Sequence, residues 1–338
     1  MLWKERRRMK KKFVKRAVCV LLLAGMSIGL VACSGKEDSA GEVKVKDVER
    51  AASVSNGELD GSSTVVGVGN TKVIYDEYRM YSWFLKNQYE DVMSAQVWDY
   101  RLGDTTVGQY AIEDILRLII QIKVMNKEAA LQGIGLGVDE KEDIDHKADE
   151  YLATVPAEVQ QANGITTEGL HLIFEENEIA RKMYDVVTGN VQASVDEAAL
   201  QAVKVQMLYL PADDSNREQV RAQANALAAQ LQAHKGNFYS FVRDTTGAGP
   251  EEEIIGNMDL RVNLANAALS LERYMASPVV EEKDGFYLMY CLKKNTKGLK
   301  KVYREQYVTE QQNLTFQAAY ENWAEKYEVK VSKSLLNA

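Results

Sequence analysis

Cysteine and histidine are scarce in this chain, and positive charge is outweighed. Three cysteines and three histidines occur in 338 residues. Cys19 and Cys33 sit at the N-terminal end, so Cys291 in "GFYLMYCLKK" is the one thiol in the body of the chain. A single thiol forms no internal disulfide, which excludes a disulfide-stapled scaffold. It reads as a small buried hydrophobe. His146, His171 and His234 stand on separate segments with no ligand spacing, so no metal site and no Ser-His-Asp arrangement is expected. The chain carries 41 basic and 49 acidic residues. No basic stripe suits nucleic acid.

The basic residues that exist are concentrated at the start. "MLWKERRRMKKKFVKRA" holds nine of them and one acidic residue. The run Ala17 to Ala32 is apolar apart from Ser27, and its 16 residues fall short of the roughly 20 that a membrane span needs. A basic front, a short apolar run and small residues at its end read as a secretory signal. "LVAC", Leu30 to Cys33, resembles the lipobox of bacterial lipoproteins. That resemblance implies cleavage before Cys33, lipidation of Cys33 and an extracytoplasmic, membrane-anchored location. Without residues 1–32 the chain keeps 32 basic and 48 acidic residues, a net charge near −16. Such a chain is repelled by an anionic membrane, so the lipid must do the tethering. Residues 33–63 are rich in Gly, Ser and charge and read as a flexible tether.

From residue 64 the text is structured. "VVGVGN" reads as a short strand and turn; its GxG lacks the third glycine and the βαβ context of a dinucleotide site. Ile74, Tyr78, Tyr81 and Leu85 mark one helical stripe, and Ile112, Ile115, Leu116, Ile119 and Ile122 mark a second, long helix that stops near "LQGIGLG". Asp139 with Glu142, Ser194 with Glu197 and Ser215 with Glu218 have the spacing of capping boxes. "GITTEGLHLIFEENEIARKMYDVV" reads as another helix, with Leu170, Phe174, Ile179 and Met183 near its buried side. At Val203 the texture changes. "VKVQMLYL" alternates like a strand entering a core, and a helix over Arg217 to His234 follows. Next come a short helix at "NFYSFVRD", an irregular Gly-rich stretch whose Glu251 to Glu253 run reads as a solvated loop, and a helix at "LANAALSLERYM". Strands "VVEE" and "GFYLMYCL" meet at Lys283-Asp284, and a long helix from Lys301 leads to a closing "YEVKVS". No internal repeat is present.

This order, together with "VGNTKVIYDEYRMYSWFL", "AALQGIGLGVDEKEDIDHKADEY", "GNFYSFVRD", "LANAALSL", "SPVVEEKDGFYLMY" and "YENWAEKYEVKVS", resembles the extracytoplasmic foldases of the PrsA and SurA type. The resemblance covers nearly the whole chain after the signal. It implies an α+β architecture: a helical chaperone-like domain built from residues 64–200 and 298–338, with a parvulin-like βα…αββ peptidyl-prolyl isomerase domain inserted at 201–297. It implies a protein-folding factor whose partners are unfolded or nascent secreted polypeptides, with no cofactor. The family's two histidines fall at Met207 and Tyr287, and the acidic or thiol residue near the prolyl ring has Asp244 as its nearest match. The family's proline-binding wall falls at Leu260, Leu264 and Leu269. "IIGNMDL" only loosely echoes the family's Gly-Gly-Asp-Leu-Gly loop. With both histidine positions substituted, the alternative is a non-catalytic holdase or assembly module on a degenerate parvulin scaffold. A solute-binding lipoprotein would need repeated βα units, which the text lacks. Aromatics Tyr75, Tyr78, Tyr81, Trp83, Phe84 and Tyr89 crowd the first helix; most fit a core stripe, and adjacent Trp83 and Phe84 cannot both face it.

Overall fold

The computed structural model describes residues 59–90, 95–103, 105–192, 195–234 and 237–336. The expected signal, Cys33 and all but the end of the tether lie outside the described residues, as does Ser194. The fold is α+β, with two compact units: unit 1 takes the chain up to Gly189 and again from Asn313, and unit 2 takes Asn190–Gln312. Unit 2 is therefore wider than the expected insert at 201–297. Its extra residues are held by apolar packing: Val195, Leu200 and Ala202 form one cluster with Leu299, Tyr303 and Val308.

Unit 1 begins with strands β1 (Thr64–Val68) and β2 (Thr71–Ile74), joined by a tight turn in which Gly69 has φ +57. Strand β9 (Val329–Val331), from the C-terminal end, pairs antiparallel on the other side of β1. Ile74 ends β2 and is exposed, rather than opening the helical stripe; helix α1 is Tyr75–Glu90, with Tyr78, Tyr81, Phe84 and Leu85 buried. A small hairpin, β3 (Arg101–Leu102) and β4 (Thr105–Thr106), precedes α2 (Val107–Leu131), which Thr106 and Gln109 start with a reciprocal capping box. Helices α3 (Val138–Leu152), α4 (Ala157–Ala162) and α5 (Thr167–Thr188) complete this part. The expected Asp139/Glu142 cap is displaced by two residues. Gly137 leaves the glycine-rich turn in an extended conformation, and Glu140 reaches back to its amide at 2.8 Å. The core joins Ile119, Leu116, Leu170 and Met183 to Phe316, Tyr320 and Trp323.

Unit 2 is a four-stranded antiparallel sheet in the order β6-β5-β8-β7. Its members are β5 (Ala202–Pro211), β6 (Glu251–Gly256), β7 (Val280–Glu282) and β8 (Gly285–Lys294). Between β5 and β6 lie α6 (Arg217–Ala233) and α7 (Phe238–Thr246); between β6 and β7 lies α8 (Val262–Ser270). Helix α9 (Lys297–Ala324) follows β8, and the short α10 (Lys333–Leu336) ends the described chain. Four local expectations are corrected here. Glu251 to Glu253 belong to strand β6, where Lys204 pairs with Glu252 and Arg261 with Glu253, so the run is paired rather than a free loop. Helix α8 stops at Ser270, and the chain runs on beside β8, with the Tyr274 amide donating to the Cys291 carbonyl. The Ser215/Glu218 box does not form: Asp213 accepts from the Ser215 and Asn216 amides in an Asx turn that leads into α6. Residues 197–199 likewise form a turn and no helix, with Asp196 accepting from the Ala198 amide.

Candidate functional site

Strand β5 assigns its residues to two faces by simple alternation. Val203, Val205, Met207 and Tyr209 point to one side, where α8 supplies Leu264, Ala265 and Ala268. Leu208 and Leu210 point to the other, where Leu227 of α6 and Phe238, Phe241 and Val242 of α7 pack. Met207 and Tyr287 lie on the same face. Met207 pairs across the ladder with Met289, and Tyr209 with Tyr287, so Met207 and Tyr287 are diagonal neighbours on adjacent strands. The structure thus brings together the two positions that the resemblance assigns to histidines.

What surrounds them is packed. Met207 and Tyr287 are each 4% exposed, and Leu264 of α8, in the same buried cluster, is 0% exposed. Leu264 is fixed at the start of α8, where its amide donates to the Glu282 carboxylate at 2.8 Å and so receives a cap from the neighbouring strand. Tyr209 and Tyr287 stack at 4.8 Å between centroids. Both hydroxyls are tied to one residue of the β7–β8 turn: Tyr287 donates to the Asp284 carboxylate at 2.7 Å and Tyr209 to the Asp284 carbonyl at 2.9 Å. Burial, and then this hydrogen bond, hold the Tyr287 phenol well above the usual tyrosine range. Met207 has no donor to offer, and the Tyr287 proton is directed at Asp284 rather than at a ligand.

The remaining expected residues divide. Leu269 is half-buried against the same cluster. Leu260 is 79% exposed on the loop before α8, and neighbouring Val262 is also exposed. Asp244 is not brought to the site. It sits on α7, which covers the opposite face of the sheet, beside His234 at 3.7 Å and Arg243 at 3.3 Å. The sequence reading missed Asp284, although the turn containing it was legible. It also missed Arg261. The Arg261 guanidinium holds the Asp259 carboxylate at 2.8 Å and pairs with Glu253, closing the loop onto β6. Burial works against the charge of Arg261, but the two carboxylates outweigh it and keep the guanidinium firmly protonated. The echo of a glycine-rich loop is therefore an ion-paired clamp in this chain.

His171 lies in unit 1, 2.8 Å from Asp149 and 3.7 Å from Asp145, and His146 is exposed on α3. Among the described residues no three His, Cys, Asp or Glu side chains converge as metal ligands, and no helix is long and apolar enough to cross a membrane. Cys291 is buried, and burial pushes its thiol up.

No protein-family model matches the chain, and no curated protein matches it. Among solved structures, it is similar to a peptidylprolyl isomerase (PrsA) of Bacillus anthracis, with 14% identity over 63% of this chain and 96% of that one, TM-score 0.39. It is similar to a SurA-like chaperone of Campylobacter jejuni, from the structural study of PEB4 and Cj1289, with 13% identity over 80% of this chain and 99% of that one, TM-score 0.28. It is also similar to a PpiC-type peptidyl-prolyl cis-trans isomerase domain, with 25% identity over 28% of this chain and 92% of that one, TM-score 0.25. At these TM-scores the likeness is loose, and the residues of this chain decide what its site can do.

Proposed function

We propose that the chain is an extracytoplasmic protein-folding factor, tethered to a membrane through Cys33, that binds unfolded secreted polypeptides without catalysing prolyl isomerisation. Turning an X-Pro bond means crossing a barrier of about 18–20 kcal/mol set by amide resonance. A catalyst lowers it by holding the twisted amide better than the planar one, which requires an open apolar slot and a group aimed into it. The observation that carries the reading is the filling of that position: Met207 and Tyr287 at 4% exposure, closed over by Leu264 at 0%. Opening a slot there would pull α8 off the sheet. Surface for a client remains beside it, at exposed Leu260 and Val262. The acidic balance favours keeping such a chain soluble while it holds apolar segments.

The test uses the full chain. In an NMR exchange assay on an Ala-Pro peptide we expect no acceleration at high protein concentration, while aggregation of an unfolded test protein is suppressed. Acceleration that scales with protein concentration would restore the isomerase reading. Absence of aggregation suppression would remove the chaperone reading.

A further inference from the structure

Unit 1 buries an unbalanced set of charges where three helices meet. Glu77 of α1, Lys123 of α2 and Glu176 of α5 converge, with Lys123 Nζ at 2.7 Å from Glu77 and 2.6 Å from Glu176. The side chains are 5%, 3% and 15% exposed for Glu77, Lys123 and Glu176. Both oxygens of Glu176 accept from Lys123, at 2.7 and 2.6 Å. Glu77 Oε1, although near Nζ, accepts no aligned hydrogen bond and is shut off from solvent. Two carboxylates thus share one ammonium in the core, and among the described residues no second cation pairs with either. The other groups facing the junction do not supply the missing charge. Tyr81 of α1 is fully buried and accepts from Asn177 of α5 at 3.2 Å, and Glu175 of α5 is paired away with Lys141 of α3. An uncompensated buried carboxylate costs several kcal/mol. Burial pushes Glu176 above the usual carboxylate range; Lys123 opposes this, while Glu77 and Glu175 add to it.

We propose that this junction is an acid-set clasp: on mild acidification Glu176 takes up one proton, which leaves one carboxylate per ammonium and tightens α1 and α5 onto α2. The sign follows from linkage. A carboxyl that keeps its proton in the folded unit at a pH where the unfolded chain has lost it favours folding in acid. That contribution is whole below the ordinary glutamate value and is lost as pH rises through the junction's own titration. Exposed carboxylates such as Glu140 and Glu252, held down by their hydrogen bonds, act in the opposite sense and lose their contribution as pH falls. A comparison of variants cancels them.

The experiment is amide hydrogen exchange on the full chain over a series of pH values from neutral down towards the ordinary glutamate range, read as protection factors over α1, α2 and α5, for the natural sequence and for Glu176→Gln. One whole proton corresponds to about tenfold per pH unit in the opening equilibrium. We expect the natural chain to gain more protection than Glu176→Gln as pH falls, by up to about tenfold per pH unit over the interval in which the junction titrates. An identical pH dependence in the two chains would overturn the clasp. Should Glu176→Gln not fold, Glu77→Gln gives the same comparison. The natural chain also offers its own readout: an infrared carbonyl band of a buried protonated carboxylic acid that persists to higher pH than the ordinary glutamates and is missing from Glu176→Gln supports the proposal, and its absence from the natural chain refutes it.

Discussion

Leu264 separates a prolyl slot from a filled core by magnitude alone. Leu264→Ala removes three carbons from a side chain that is 0% exposed and lies in the cluster with Met207, Tyr287 and Met289. At about 0.8 kcal/mol for each buried methyl or methylene, the transfer loss is about 2.4 kcal/mol. The unfilled space adds to it, because a packed core relaxes only partly, so the expected cost is about 3 kcal/mol within the usual range of 2–5. That is about a hundredfold in the opening equilibrium of unit 2. Tryptophan fluorescence is a poor reporter of it, since Trp83, Trp98 and Trp323, the tryptophans among the described residues, all belong to unit 1. Hydrogen exchange of the β5 and β8 amides can, and so can the rate of labelling at Cys291, a buried thiol on β8. Both should rise together by about two decades. Leu260→Ala, at a position 79% exposed, is the control and should change opening by less than about 0.5 kcal/mol. A change below about 1 kcal/mol for Leu264→Ala would mean that the position borders open space, and the filled-core reasoning would fail. Leu264→Asp is a poorer test, because a buried unpaired carboxylate unfolds the unit and removes any activity with it.

Two further outcomes follow from other parts of the chain. Tyr303, whose hydroxyl accepts from the Met258 amide at 3.0 Å, is pushed up to about 12 by burial. Its contribution is whole below the ordinary tyrosine value of about 10 and is lost between there and about 12, so unit 2 should lose stability over that alkaline window. Exchange of β6 amides that is flat across the window would contradict the assignment. Gly164 has φ +61, and a Cβ there would stand 2.6 Å from the Asp76 carboxyl. Gly164→Ala should therefore destabilise unit 1 by about 1–2 kcal/mol from the backbone alone, read as a lower melting point of its tryptophan fluorescence. An unchanged melting point would show that this turn is not held as described.

The legible features were those written within a few residues. The alternation of "VKVQMLYL" marks β5 because period-two burial leaves its record along one strand. The 3.6-residue spacing of Ile112, Ile115, Ile119 and Ile122 marks α2 for the same reason. Strand β6 was not legible: three glutamates carry no strand signal, and they are held only because β5, some 45 residues earlier, offers Lys204 and a free edge. The Asp244 assignment failed in space, not in text. Asp244 was the nearest match that the resemblance offered, yet α7 packs on the far side of the sheet because Phe238, Phe241 and Val242 pack with Leu208 and Leu288.

The sequence by itself determined the class of the chain: α+β, acidic, and poor in cysteine and histidine. Those statements need only identity and local periodicity. Tertiary structure alone decided whether Met207 and Tyr287 border a cavity or fill one, because that depends on how closely α8 approaches the sheet. It decided where the Tyr287 proton goes, because Asp284 reaches it only once the hairpin is closed. It also brought Glu77, Lys123 and Glu176 to one point from three helices. Close packing and charge pairing are properties of segments distant in the chain, and no local pattern of residues records them.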